Sequence, residues 1–306
     1  MGLVAPATHL SAEAQDFLRN PQPPLPELDY SDIAAVEAFR EELHPAWAAM
    51  NDDLSGSWVS RTETVAGVDV LRFAETEDQL DNDQIIVHLH GGSYIFGSPM
   101  TNASLIVPMA QRTGLPVISV DYRLAPEHKC PAATEDAVAV HAAIAESHEI
   151  VGLYGESAGG GLALATAVAL RDAGHRLPNR LGLLSPWVDL TCSGDTYRTM
   201  LHVDPDFGNP NDPPAMAAAY ADDGVDSPQA SPLFADLSGL PPSLIQVGGR
   251  EVLLSDSCRL DAALRAAGVS STLDVWDGLW HVWQLFPTIP ESGLAFDELS
   301  AFFMED

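Results

Sequence analysis

Residues 149–170 constrain the fold of this chain more than any other stretch. Ile150, Val151, Leu153 and Tyr154 read as a short apolar strand, Gly155-Glu156-Ser157-Ala158-Gly159 as a turn, and Leu162, Leu164, Ala165, Val168, Ala169 and Leu170 recur at helical spacing. Strand, Gly-x-Ser-x-Gly and helix in that order form a turn so tight that the serine sits in a strained backbone conformation with its hydroxyl exposed. A Cβ at Gly155 or Gly159 would collide where the helix doubles back across the strand, so both glycines answer a steric demand. The pentapeptide alone is a weak signal, because Gly- and Ser-rich loops contain it by chance. The flanking apolar elements argue against a loop.

The rest of the chain alternates in the same way. Strands are expected near 57–65, 68–74, 84–90, 116–121, 149–155, 180–185, 243–248 and 271–276, with helical patterns at 102–112, 134–147, 158–173 and 255–267. Such alternation predicts an α/β fold: a mostly parallel eight-stranded sheet with helices on both faces. A short turn at Gly67 makes the first two strands an antiparallel edge. Two segments stand outside the pattern. Residues 1–50 hold Pro21, Pro23, Pro24 and Pro26, then an amphipathic stripe of Ile33, Val36, Phe39, Leu43 and Trp47. Residues 191–226 are rich in Asp, Pro and Gly, with a short helix expected at 213–221. An insertion of that size in a compact fold is usually functional. These two segments are expected to form a helical cap over a catalytic domain of 51–190 plus 227–306; plain core packing is the other reading of the stripe, and under either most of it should be buried.

The 44 acidic side chains against 14 basic ones give a net charge of -30, which repels phosphate backbones and anionic lipid headgroups. Nucleic acid is therefore excluded as a partner class. Adaptation to salt and simple solubility both account for such a surface. The three cysteines, Cys130, Cys192 and Cys258, lack metal-ligand spacing and read as reduced, buried residues of a cytoplasmic protein. No basic region followed by an apolar stretch opens the chain, so no secretory signal is read. The longest apolar run, 158–170, is shorter than the ~20 residues of a membrane helix, and no membrane insertion is expected.

A serine hydroxyl attacks only when a base removes its proton, and histidine has the suitable pKa. Of ten histidines, His175, His202 and His281 follow Ser157, and His281 alone lies on a loop after the last expected strand. That is the chain order Ser, acid, His of an α/β-hydrolase sheet. Glu251, just past the strand 243–248, is placed to fix the His281 tautomer. Asp256 is the main competitor, although it falls where a helix first turn favours an acid, and Asp274 and Asp277 belong to the last strand and its loop. An oxyanion needs convergent backbone N–H groups. Ala158 offers one, and His90-Gly91-Gly92-Ser93 after the strand Ile85–Leu89 offers others from Gly91, Gly92 and Ser93.

With these residues assembled, the sequence resembles the hormone-sensitive lipase family of α/β-hydrolases, the bacterial family IV esterases, over about residues 80–290. The resemblance is carried also by Asp121-Tyr122-Arg123-Leu124-Ala125-Pro126-Glu127, Pro131-Ala132-Ala133, Asp136, Ser185-Pro186-Trp187, Ser231-Pro232-Leu233 and the run Glu251 to Asp256. It implies a serine carboxylesterase that needs no cofactor or metal and acts on small-molecule esters of short to medium chain. Gly92, Ser93 and Ala158 are the implied oxyanion donors. A longer-chain lipase, a lactone or amide hydrolase, and a non-catalytic small-molecule receptor remain the alternatives. Relatives often pair through the last strand, which leaves a homodimer open. The chain departs from the family's usual pattern with Ser93 in a glycine place and Glu at positions 156 and 251, where Asp is common. Trp276, Trp280, Trp283, Tyr94 and Phe96 flank the site in sequence and fit an acyl pocket or the core equally.

Overall fold

In the computed structural model, which describes residues 5–21, 26, 28–49, 51, 54–205 and 212–305, eight strands form one sheet in the order β1-β2-β4-β3-β5-β6-β7-β8. The strands are β1 (Val59–Val65), β2 (Val68–Ala74), β3 (Gln84–Leu89), β4 (Val117–Val120), β5 (Glu149–Glu156), β6 (Arg180–Leu184), β7 (Ser243–Gly248) and β8 (Ser271–Trp276). β1 and β2 are antiparallel, β2 is antiparallel to β4, and every pair from β4 to β8 is parallel. The inner strands are apolar runs because helices cover both faces. Along β3 the alternation is direct: Ile85, Val87 and Leu89 enter one core and Ile86 the other. β1, at an edge, keeps the charged pattern Ser-Arg-Thr-Glu-Thr and is largely exposed.

Helices α4 (Ala132–Ala145), α5 (Ala158–Asp172) and α8 (Leu254–Ala266) pack on one face, and α3 (Ala103–Thr113) and α9 (Pro290–Phe303) on the other. The two segments outside the alternation supply α1 (Ala12–Arg19), α2 (Ile33–Ala48), α6 (Thr196–Thr199) and α7 (Asp212–Ala221). α1 buries Ala14 and Leu18 against Leu279, Trp280 and Trp283, beside the loop that carries His281. α2 buries Val36 and Leu43, but Ile33 of the expected stripe is 45% exposed because it occupies the first turn, where the helix meets solvent. Pro23 and Pro24 lie outside the described residues, as do 206–211 of the insertion. The cysteines are free, but Cys258 is exposed and the other two only partly covered, which corrects the expectation that all three are buried. Cys258 sits in α8, between the buried Ser257 and Leu260.

Candidate active site

The end of β5 and the start of α5 build the turn that the sequence calls for. Ser157 adopts φ 54°, ψ -121°, a conformation costly for a residue with a Cβ. The neighbouring strand leaves no room for side chains at the flanking glycines: a Cβ on Gly159 would lie 2.0 Å from the Leu89 carbonyl oxygen, and one on Gly155 would lie 2.4 Å from that of Gly159. The Ser157 N–H donates to Leu184 O at 2.9 Å, and its carbonyl accepts from Trp187 N–H at 2.9 Å, so the strained residue is held from β6 and the segment after it.

His281 comes from the loop after β8, and its Nε2 stands 3.0 Å from Ser157 Oγ. Its Nδ1 lies 3.3 Å from Glu251 Oε1. Glu251, on the turn after β7, is fully buried and aims its second oxygen at two donors: Ser185 Oγ at 2.7 Å and Gly248 N–H at 2.8 Å. Ser185 in turn accepts from Val282 N–H at 3.2 Å, so one hydroxyl ties the acid to the residue after His281. Ser185-Pro186-Trp187 is among the segments that carry the family resemblance, but nothing local in it marks Ser185 as a partner of the Glu251 carboxylate. The insertion also grips the acid loop: Asp204 accepts from Val252 N–H at 2.8 Å and Thr196 Oγ1 donates to Val252 O at 2.5 Å.

Asp256 takes a different position. Its Oδ2 accepts from the N–H groups of Val188 and Asp189 and from Tyr197 Oη. Burial, then the neighbouring Asp189, push its carboxyl well above the usual carboxylate range. Asp274 accepts from Trp276 Nε1 at 2.5 Å, and Asp277 lies on the surface near His9.

Among the described residues, none accepts a backbone hydrogen bond from Gly92, Ser93 or Ala158. Gly91 does not join them, because its N–H donates to Glu156 Oε1. Gly92 (φ 114°), Ser93 (φ 57°) and Tyr94 (φ 62°) all lie in the left-handed region, so the loop after β3 coils in the way that favours glycine at Ser93's position. His90 organises this loop. Burial pushes its ring down to about 3, so the imidazole is neutral, and the tautomer that fits donates Nδ1–H to Gly91 O at 2.8 Å. Carbonyl and N–H of a trans peptide point in opposite directions, so holding the Gly91 carbonyl aims the Gly92 N–H away from His90. His90 stacks on Tyr122, whose hydroxyl donates to His90 O at 2.5 Å.

The loop is clasped from above as well. Tyr94 stacks flat on Tyr220 of α7, with ring centroids 3.8 Å apart. Arg40 of α2 donates Nε to Ile95 O at 2.7 Å and Nη2 to Ala125 O at 2.5 Å while pairing with Glu127. No local sequence signal marks Arg40, because its partners are 55 to 87 positions away. Trp280, Trp283, Tyr94 and Phe96 are packed in apolar clusters at 2% exposure or less, which favours the core reading for these four.

A family model described as the alpha/beta hydrolase fold matches residues 86–285. The chain is 41% identical over 223 residues to an acetyl-hydrolase of Streptomyces hygroscopicus, covering 71% of this chain and 74% of that one. A solved esterase from the bacterial hormone-sensitive lipase family superposes with a TM-score of 0.80 at 34% identity, covering 91% of this chain and 98% of that one. A second esterase, solved after its crystal was soaked with p-nitrophenyl butyrate, gives 0.82 at 35% identity over 95% and 96% of the two chains. The chain therefore belongs to the hormone-sensitive lipase family of α/β-hydrolases. It is an esterase, a hydrolase of carboxylic esters.

Proposed function

We propose that the chain hydrolyses short- to medium-chain esters through an acyl-enzyme on Ser157. His281 Nε2 takes the hydroxyl proton as Oγ attacks the ester carbonyl, Glu251 steadies the imidazolium, and the oxyanion falls among the N–H groups of Gly92, Ser93 and Ala158. The proton then passes from His281 to the departing alkoxide, the alcohol leaves, and water enters to repeat the sequence on the acyl-serine. The observation that carries this reading is the contact row Ser157 Oγ, His281, Glu251 at 3.0 and 3.3 Å.

Residues 1–50 and about 191–226 act in this reading as a cap, supported by the grip of Arg40 and Tyr220 on the oxyanion loop. A cap that closes over the serine favours water-soluble esters, and the acetyl-hydrolase and the butyrate-soaked esterase among the relatives point the same way. No helix among the described residues is long and apolar enough to cross a membrane. Rates on 4-nitrophenyl acetate, butyrate, octanoate and palmitate, with Ser157→Ala as control, test the proposal. The rate should peak at acetate or butyrate and fall by roughly a million-fold in the variant. A palmitate optimum would favour a lipase, and an active Ser157→Ala would remove the mechanism.

A further inference from the structure

Glu156 lies immediately before Ser157 at the end of β5, 1% exposed, in a place where an apolar side chain would satisfy packing alone. A buried carboxylate is costly unless donors surround it. Three do, each from a different part of the fold. Its Oε1 accepts from Gly91 N–H in the oxyanion loop and from Asn102 Nδ2, at the N-cap of α3, at 2.6 Å. Its Oε2 accepts from His88 Nε2 of β3 at 2.8 Å. The ring and the amide are themselves fixed, with Ser119 Oγ 2.9 Å from His88 Nδ1 and Thr101 Oγ1 donating to Asn102 Oδ1 at 2.8 Å. With Nε2–H facing the carboxylate, Nδ1 accepts from the Ser119 hydroxyl, and every member of the network is satisfied. The fit against the loop is close as well as polar: a Cβ on Gly91 would stand 2.9 Å from the Glu156 carbonyl oxygen and 3.1 Å from Oε1.

We propose that Glu156 is a positioning residue that holds the oxyanion loop in register with the nucleophile. The geometry is specific to that task. Gly91 N–H is fixed by Glu156 while Gly91 O is fixed by His90, so the two peptide planes flanking Gly91 are both clamped, and the second of them carries the Gly92 N–H. Because residues 156 and 157 share a peptide bond, a single side chain sets the distance between the attacking oxygen and the amides that receive the oxyanion. Misplacement by about 1 Å is enough to cost a large factor in rate.

This inference rests on the acyl-enzyme reading, and Ser157→Ala separates the two: it abolishes turnover if that reading is right, whatever Glu156 does. The test compares Glu156→Ala and Glu156→Gln with wild type, measuring kcat and KM on 4-nitrophenyl butyrate and inhibition by an alkyl boronic acid, which forms a tetrahedral adduct on the serine. Glu156→Ala leaves Gly91 without its acceptor and should lower kcat by about 100-fold, the loss expected for one misplaced oxyanion donor, with KM changed less than about threefold. The boronate should weaken in parallel with kcat. Glu156→Gln keeps a neutral acceptor for Gly91 and should lose about 10-fold. A role in folding alone would lower the melting temperature and leave kcat, KM and boronate affinity of the folded protein unchanged, and that result overturns the proposal. So does a loss confined to KM. If Glu156→Ala does not fold, Glu156→Gln decides: wild-type kcat and boronate affinity in that variant refute it.

Discussion

Replacing Glu251 with Gln should inactivate the enzyme by reversing one tautomer, and the structure fixes which one. Both donors at Glu251 Oε2, the Ser185 hydroxyl and Gly248 N–H, require an acceptor there. A glutamine must therefore place its carbonyl oxygen at that position and its NH2 group toward His281 Nδ1, where Glu251 Oε1 now lies 3.3 Å away. Facing a donor, Nδ1 becomes the acceptor and the ring proton moves to Nε2, which points at Ser157 Oγ. The base is then occupied before the reaction begins. The same tautomer reversal in a serine protease triad costs ~10⁴-fold, or about 5 kcal/mol of barrier. The assay is kcat/KM on 4-nitrophenyl butyrate across neutral and alkaline pH, with melting curves to establish that the variant is folded. A folded Glu251→Gln enzyme that loses less than about tenfold refutes the assigned hydrogen-bond directions.

Gly159→Ala sets a methyl group against the Leu89 carbonyl oxygen, a backbone atom that cannot swing aside. It should cost about 3 kcal/mol, the upper end of what overpacking usually costs, and lower the melting temperature by several degrees; a variant melting like wild type would show that the elbow is looser than described. The raised Asp256 pKa, caused first by burial and then by Asp189, makes a second prediction with a definite sign. A carboxyl whose pKa is higher folded than unfolded stabilises the fold below its unfolded value and loses that contribution as pH rises through the folded one. Wild type should melt progressively lower as pH rises above the ordinary carboxylate range, and Asp256→Asn should flatten that slope; equal slopes would refute the assignment. Finally, a net charge of -30 repels itself, so raising NaCl from about 0.01 to about 1 M should raise the melting temperature by screening. A monotonic fall would count against both that reading and salt adaptation.

All eight strands were legible because each is a short β-rich or apolar run between turn residues, and the sheet's parallel part followed from the intervening helices. The helices α1 and α9 were not foreseen. α1 is eight residues long, with a Ser11 cap and Ala14 and Leu18 on one face, too short for periodicity to stand out. α9 carries Pro290 at its start and spaces Ala295, Phe296, Leu299 and Phe303 along its buried side, a readable pattern hidden by the glycine and serines between. At the site, Ser157, Glu251 and His281 were legible from chain order, and the structure brings all three into one row. Their support was not. Ser185, Arg40 and the network around Glu156 act across sheet register and loop contact, where the partners are 31 to 97 positions apart. Gly91 shows the limit most clearly, since the motif alone does not say which of its amides the protein uses itself.

Covalent labelling reports on Ser157 as the nucleophile without an intervening step. Treatment with a 4-nitrophenyl alkylphosphonate, followed by intact mass and peptide mapping, should give one adduct per chain on the peptide containing Ser157, with esterase activity lost in proportion to labelling. An adduct on another residue, or full activity in a chain quantitatively labelled at Ser157, would contradict it.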